Sequence, residues 1–153
     1  MSRSFDVIHY LSGKTLATAE SLTGGGLGAA LTSVPGASAV YKGGVISYTN
    51  EIKMKVLGVR EELLTKHGAV SQQVAGEMVA GVRKLLNADI AVSVTGLAGP
   101  DGDDFGHPVG TVFIGYEDAH HDEVLHFCFS GDRDAVRKQT IDAALDLILK
   151  YNS

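Results

Sequence analysis

The chain has 153 residues, 44% of them hydrophobic and 20% charged, with a formal net charge of -5. That balance suits a globular domain of ordinary size, and the acidic excess argues against a broad grip on nucleic acid, which needs a basic stripe. The one cysteine, Cys128, excludes an internal disulfide, no apolar run is long enough to cross a membrane, and no apolar stretch follows the first few residues, so the expectation is a single domain over 1–153 in a reducing cytoplasm, without a leader or a membrane partner.

Phe5, Ile8 and Leu11 predict a short helix over 5–12, and Thr15 to Ala19 predicts a strand. A glycine-rich turn follows, then Leu27, Ala30, Leu31 and Val34 recur at helical spacing up to Pro35-Gly36. Gly44 to Tyr48 reads as a second strand. Thr49 or Asn50 can cap a helix carrying Ile52, Val56 and Leu57, with Gly58 as its stop. Ser71 opens a helix over 71–86 with a stripe from Val74 to Leu85 and Leu86. Ile90 to Thr95 is apolar enough for a buried strand. Val109 to Tyr116 and Glu123 to Phe129 read as two more strands joined by a polar turn, and a last helix runs from Arg133 to Tyr151 with Ile141, Ala144, Leu145 and Ile148 inward. The alternation predicts an α/β sandwich whose first three strands are parallel and whose last pairings are antiparallel.

Ligands in an open α/β sheet bind beyond the carboxyl ends of the parallel strands. Three segments leave those ends: Glu20 to Gly26, Ser47 to Lys53 and Thr95 to Pro100. Ser21 stands between a strand and a glycine-rich helix start, where the N–H groups of Thr23, Gly24 and Gly25 are expected to point outward and can hold a phosphate or an oxyanion. With a base nearby Ser21 can be a nucleophile; alternatively Ser21 or Thr23 only caps the helix. Lys53, one turn into its helix, is the candidate base, since the positive helix end and burial both favour a neutral amine; the alternative is a solvated lysine like Lys55. Tyr48 can donate a hydrogen bond, stack on a ring or simply pack. The turn from Gly96 to Pro100, or the Thr95 hydroxyl, can touch a ligand or be a plain tight loop. Arg133 and Arg137, four apart on one helix face, can bind a phosphate or pair with surface carboxylates.

Other signals are weaker. Gly13-Lys14-Thr15 lacks the first glycine of a phosphate loop, Asp101, Asp103 and Asp104 lack the spacing of a calcium loop, and His120-His121 has no second zinc pair. Gly24-Gly25-Gly26-Leu27-Gly28-Ala29 fits a dinucleotide-binding fingerprint, but Glu20 to Thr23 intervene after the strand and no acid ends the second strand.

Six segments together resemble the CinA C-terminal domain family: Thr18 to Gly25, Gly43 to Lys53, His67 to Ser71, Thr95 to Pro100, Pro108 to Val112 and Phe129 to Arg137. The resemblance spans nearly the whole chain and looks like a stand-alone form. It implies a three-layer α/β/α sandwich with a mixed, mostly parallel five-stranded sheet. It also implies hydrolysis of nicotinamide mononucleotide to nicotinate mononucleotide and ammonia, without a cofactor or metal. The family's serine and lysine fall on Ser21 and Lys53; Thr23, Gly24, Gly25, Tyr48, Thr95, Gly96, Arg133 and Arg137 become candidates for binding substrate. A homo-oligomer is compatible with the family. Many relatives carry cysteine at the position of Leu22 and lysine at that of His107, so a thiol nucleophile is excluded at 22 and specificity can shift at 107. The alternative function is a pyridine-nucleotide-binding or partner-binding module without hydrolysis.

Overall fold

A computed structural model describes residues 2–153. The chain runs α1 (Arg3–Tyr10), β1 (Leu16–Glu20), α2 (Gly26–Thr32), a 3-10 turn (Ala37–Ala39), β2 (Tyr41–Ile46), α3 (Asn50–Leu57), α4 (Glu61–His67), α5 (Gln72–Leu86), β3 (Ile90–Gly96), β4 (Thr111–Glu117), β5 (Asp122–Cys128) and α6 (Arg133–Asn152). The five strands form one sheet in the order β2-β1-β3-β4-β5. β1 is parallel to β2 and to β3, whereas β3–β4 and β4–β5 are antiparallel. Only β4 therefore opposes the common direction, and the sheet is mixed and mostly parallel as expected.

Side chains alternate across a strand with period two, and β1 shows what this achieves. Leu16 joins a core under α1, α2 and α6, while Ala17 and Ala19 join the core under α3, α4 and α5. β3 repeats the asymmetry, with Ile90, Val92 and Val94 on the first face and Ala91 on the second. Small residues on the second face let α5 lie close to the sheet. Ser93 donates to the Ala75 carbonyl at 2.8 Å, and a Cβ on Gly115 would sit 3.0 Å from that same oxygen. Continuing the alternation past Ala19 sends Glu20 toward α2 and Ser21 toward α3.

Several boundaries differ from expectation. β2 begins at Tyr41, three residues early, because its register is set by pairing Leu16 with Tyr41. It stops at Ile46, leaving Tyr48 outside the strand, and Ser47 instead donates its N–H to the Glu20 carbonyl at 2.7 Å. α2 ends at Thr32, ahead of Val34, where the Thr32 and Ser33 hydroxyls turn back onto carbonyls of Gly28 and Ala30. α4 was not anticipated; it carries one buried apolar residue, Leu64, and no stripe. Thr49, Ser71 and Gly58 cap as expected. Val56 and Leu85, read as core-facing, are exposed. β4 starts at Thr111 rather than Val109, because Val109 and Gly110, the latter with φ +94°, form a turn closed by the Thr111 N–H on the Pro108 carbonyl.

Candidate active site

The carboxyl ends of β1, β2 and β3 converge on a cavity of about 460 Å³, whose lining includes Ser21, Tyr48, Lys53, Thr95, Gly96 and Arg133. β1 sits between β2 and β3, and the link from β1 to β2 carries α2 on one face of the sheet while the link from β2 to β3 carries α3 to α5 on the other. Such a switch point opens a crevice that neither set of helices fills.

Ser21 and Lys53, 32 residues apart in sequence, meet at its base. The Lys53 Nζ lies 3.0 Å from Ser21 Oγ and donates to the carbonyls of Ser47 at 2.7 Å and Tyr48 at 3.3 Å. Ser21 is 7% exposed and Lys53 1%. Three neutral oxygens surround the amine, and among the described residues no carboxylate pairs with it. Burial without a counter-charge pulls the Lys53 pKa down to about 8. A neutral amine has two N–H donors and one lone pair. The two carbonyls account for the donors, and the lone pair is then the acceptor for the Ser21 hydroxyl. Lys55, two residues on, pairs with Glu51 at 3.3 Å in solvent. The solvated alternative thus describes Lys55 and not Lys53.

The turn after Ser21 departs from the expectation of outward N–H groups at Thr23, Gly24 and Gly25. Glu20, itself 2% exposed, accepts from the Thr23 hydroxyl at 2.6 Å and from the N–H groups of Gly25, Leu27 and Gly28 at 3.2, 2.8 and 3.0 Å. The Gly24 N–H donates to the Ser21 carbonyl at 3.1 Å. A carboxylate from the preceding strand thus satisfies the start of α2, and that helix end has no room for a second anion. Thr23 is fully buried, and Thr23, Gly24 and Gly25 lie outside the cavity lining. Among the described residues the Leu22 and Thr23 N–H groups have no protein acceptor. Glu20 is the residue that local sequence reading missed; its only signal was an acid placed at a strand end before a glycine-rich helix start.

At the mouth, Arg133 donates to the Gly99 carbonyl at 2.7 Å and to the Tyr48 hydroxyl at 3.2 Å. Tyr48 is 58% exposed. These contacts join the ends of β2 and β3 to the start of α6 across one side of the opening. Arg133 is the one cationic side chain at this rim among the described residues, while Asp101 and Asn50 also border the opening. Thr95 donates to the Ala69 carbonyl at 2.8 Å and holds the loop that forms one wall. Gly96 borders the cavity, but its missing side chain serves β4: a Cβ there would meet Val112 and the Thr111 carbonyl. Arg137, four residues after Arg133, does not reach the cavity; it donates to the carbonyls of Leu22 and Thr23.

The weaker signals resolve locally. Asp103 accepts from the Phe105 and His107 N–H groups and pairs with the His107 ring at 2.7 Å. Asp118 does the same for His120 and His121. Among the described residues no group of three His, Cys, Asp or Glu side chains is gathered as a metal site, and no helix is long and apolar enough to cross a membrane.

A mixed five-stranded sheet with a polar crevice at its switch point defines a small α/β domain built around a serine and a buried lysine. The CinA C-terminal domain model matches residues 6–152, and the chain belongs to that family. It is 51% identical over 135 residues to a CinA-like protein of Endomicrobium trichonymphae, covering 88% of this chain and 32% of that protein. The chain thus spans about a third of the length of such CinA-like relatives. It is 47% identical over 137 residues to the nicotinamide-nucleotide amidohydrolase PncC of Escherichia coli K12, covering 89% of this chain and 83% of that protein. The crystal structure of a CinA superfamily protein from Klebsiella pneumoniae superposes with a TM-score of 0.94 at 38% identity, covering 97% of this chain and 94% of that one.

Proposed function

We propose that the chain hydrolyses the carboxamide of nicotinamide mononucleotide, with Ser21 as nucleophile and Lys53 as base. The observation that carries this reading is the Ser21–Lys53 contact, buried and without a carboxylate partner. The PncC relative supplies the substrate class.

Neutral Lys53 takes the Ser21 proton as Oγ bonds to the carboxamide carbon. The carbonyl oxygen gains the negative charge, and the unpartnered N–H of Leu22, which lines the cavity, is suited to hold it. Protonated Lys53 passes its proton to the leaving nitrogen, and ammonia departs as the C–N bond breaks. Water then attacks the acyl-enzyme, Lys53 accepts one of its protons and hands it to Ser21 Oγ as the ester C–O bond breaks, which releases nicotinate mononucleotide and restores the neutral amine. The Ser47 and Tyr48 carbonyls hold the amine in place through both steps. The ribose phosphate is assigned to the side of the cavity bordered by Arg133, which offers a cation to it. Tyr48 lies beside that path and offers a ring face and a hydroxyl.

Purified protein is expected to release ammonia from nicotinamide mononucleotide in the presence of a chelator. Ser21→Ala and Lys53→Ala should each lower that rate at least about 1,000-fold while the fold persists, the scale seen when a nucleophile or its base is removed. Full activity in either variant overturns the pair. Tight binding of the nucleotide by the wild type without any turnover favours the non-hydrolytic module instead.

A further inference from the structure

The sequence offers Arg137 as a phosphate ligand, but its guanidinium is committed elsewhere. Its Nε donates to the Leu22 carbonyl at 3.0 Å and its Nη2 to the Thr23 carbonyl at 3.1 Å. These are the first two carbonyls after Ser21. A planar guanidinium presents its donors in a fixed fork and so sets two acceptors relative to one another, which the rotatable donors of a lysine do not.

The consequence follows from the peptide bond itself. In a trans peptide the C=O of one residue and the N–H of the next point in opposite directions. A grip on the Leu22 carbonyl from α6 therefore also fixes the Thr23 N–H, aimed away from α6. α6 packs on one face of the sheet and α3, which carries Lys53, on the other. The Thr23 N–H is one of the two groups in this turn that lack an acceptor among the described residues. The next peptide is held from both ends: the Thr23 carbonyl takes Arg137 and the Gly26 N–H, and the Gly24 N–H reaches back to the Ser21 carbonyl at 3.1 Å. Gly24, with φ +58°, makes the bend, and a Cβ there would lie 3.8 Å from Arg137 Nη2. Glu20 secures the other side of the same turn through the Thr23 hydroxyl and the N–H of Gly25.

We propose that Arg137 is a positioning residue for acyl transfer: it holds the two peptides after Ser21 so that the hydroxyl and the adjacent N–H of Leu22, which lines the cavity, keep the geometry the reaction needs, without touching substrate. This rests on the reading of Ser21 as the nucleophile.

The test separates rate from binding. In Arg137→Ala, kcat for nicotinamide mononucleotide should fall about 100-fold, the low end of what loss of one oxyanion donor costs, with KM unchanged. Arg137→Lys, which keeps the charge but not the fork, should recover only part of the rate. Added guanidinium at millimolar concentration should restore kcat in the alanine variant and leave the lysine variant unmoved. In a Ser21→Ala background, adding Arg137→Ala should leave the nucleotide Kd unchanged. A Kd raised tenfold or more, with kcat retained, makes Arg137 a ligand of the substrate and overturns the proposal, as does full wild-type kcat in Arg137→Ala. Should the alanine variant fail to fold, Arg137→Lys and Arg137→Gln decide by the same split between kcat and Kd. Wild-type protein that releases no ammonia overturns the Ser21 reading, and the Arg137 role with it; an active wild type with an indifferent Arg137→Ala overturns the Arg137 role alone.

Discussion

The two rims of the sheet treat a half-buried or buried charge in opposite ways. At the rim opposite the cavity, Asp118 accepts from the Tyr116 hydroxyl at 2.7 Å, from the N–H groups of His120 and His121 and from the His121 ring. Burial alone raises a carboxyl pKa, but these donors outweigh it and hold Asp118 well below the usual carboxylate range. Asn152 completes the cluster by donating to the Tyr116 hydroxyl at 3.0 Å. At the cavity rim, Lys53 faces oxygens that carry no charge, and its pKa moves toward neutrality. The saturated rim turns its charge into stability. The unsaturated rim gives stability up and keeps a base in reach of a hydroxyl.

The sharpest way to break this contrast is Lys53→Met. It should lower ammonia release by at least about 1,000-fold and should not lower the melting temperature at pH 7. In the native protein, the Lys53 pKa of about 8 against 10.5 for a free lysine means that the unfolded chain binds the extra proton between those values. Wild-type stability should therefore rise with pH across that window, by on the order of 3 kcal/mol, and the methionine variant should lack the rise in urea melts. Catalysis should climb with pH through about 8, since at pH 7 only about one Lys53 in ten is neutral. A flat pH–rate profile from 6 to 9 removes Lys53 as the base.

Asp118→Asn tests the other rim. It should cost about 1–2 kcal/mol at pH 7 through its lost hydrogen bonds and leave kcat unchanged. The wild type should lose its advantage as pH falls below about 4, toward the lowered native pKa, because protonation removes the same interactions. A variant as stable as wild type at pH 7 denies the saturated rim its role. Lys55→Met is the smallest expected change. Its partner Glu51 and its own side chain are both well exposed, so stability should shift by less than about 0.5 kcal/mol and activity should hold. A large loss there means that charge on α3, rather than burial of one lysine, governs the site.

Much of this was legible beforehand where local chemistry and tertiary structure agree. The five strands, though not their exact bounds, the caps at Thr49 and Ser71 and the convergence of three loops follow from apolar spacing and turn residues. The burial of Lys53 was not, because polarity alone places a lysine in water and only its contacts with Ser21 and with the carbonyls of Ser47 and Tyr48 remove it. The turn after Ser21 was half legible: the glycines announce the bend, but which groups take its amides depends on Glu20 from below and Arg137 from 115 residues further along the chain. α4 escaped because seven residues with a single buried apolar side chain show no period.

The depth of the Ser21 hydroxyl bears on what the protein leaves alone. A group 7% exposed at the floor of a recess can be reached only by a molecule that offers its amide at a tip. Backbone amides carry chain on both sides and cannot present one. On the reading of Ser21 as the nucleophile, the walls of the recess, rather than a timid reagent, keep backbone amides out of its reach.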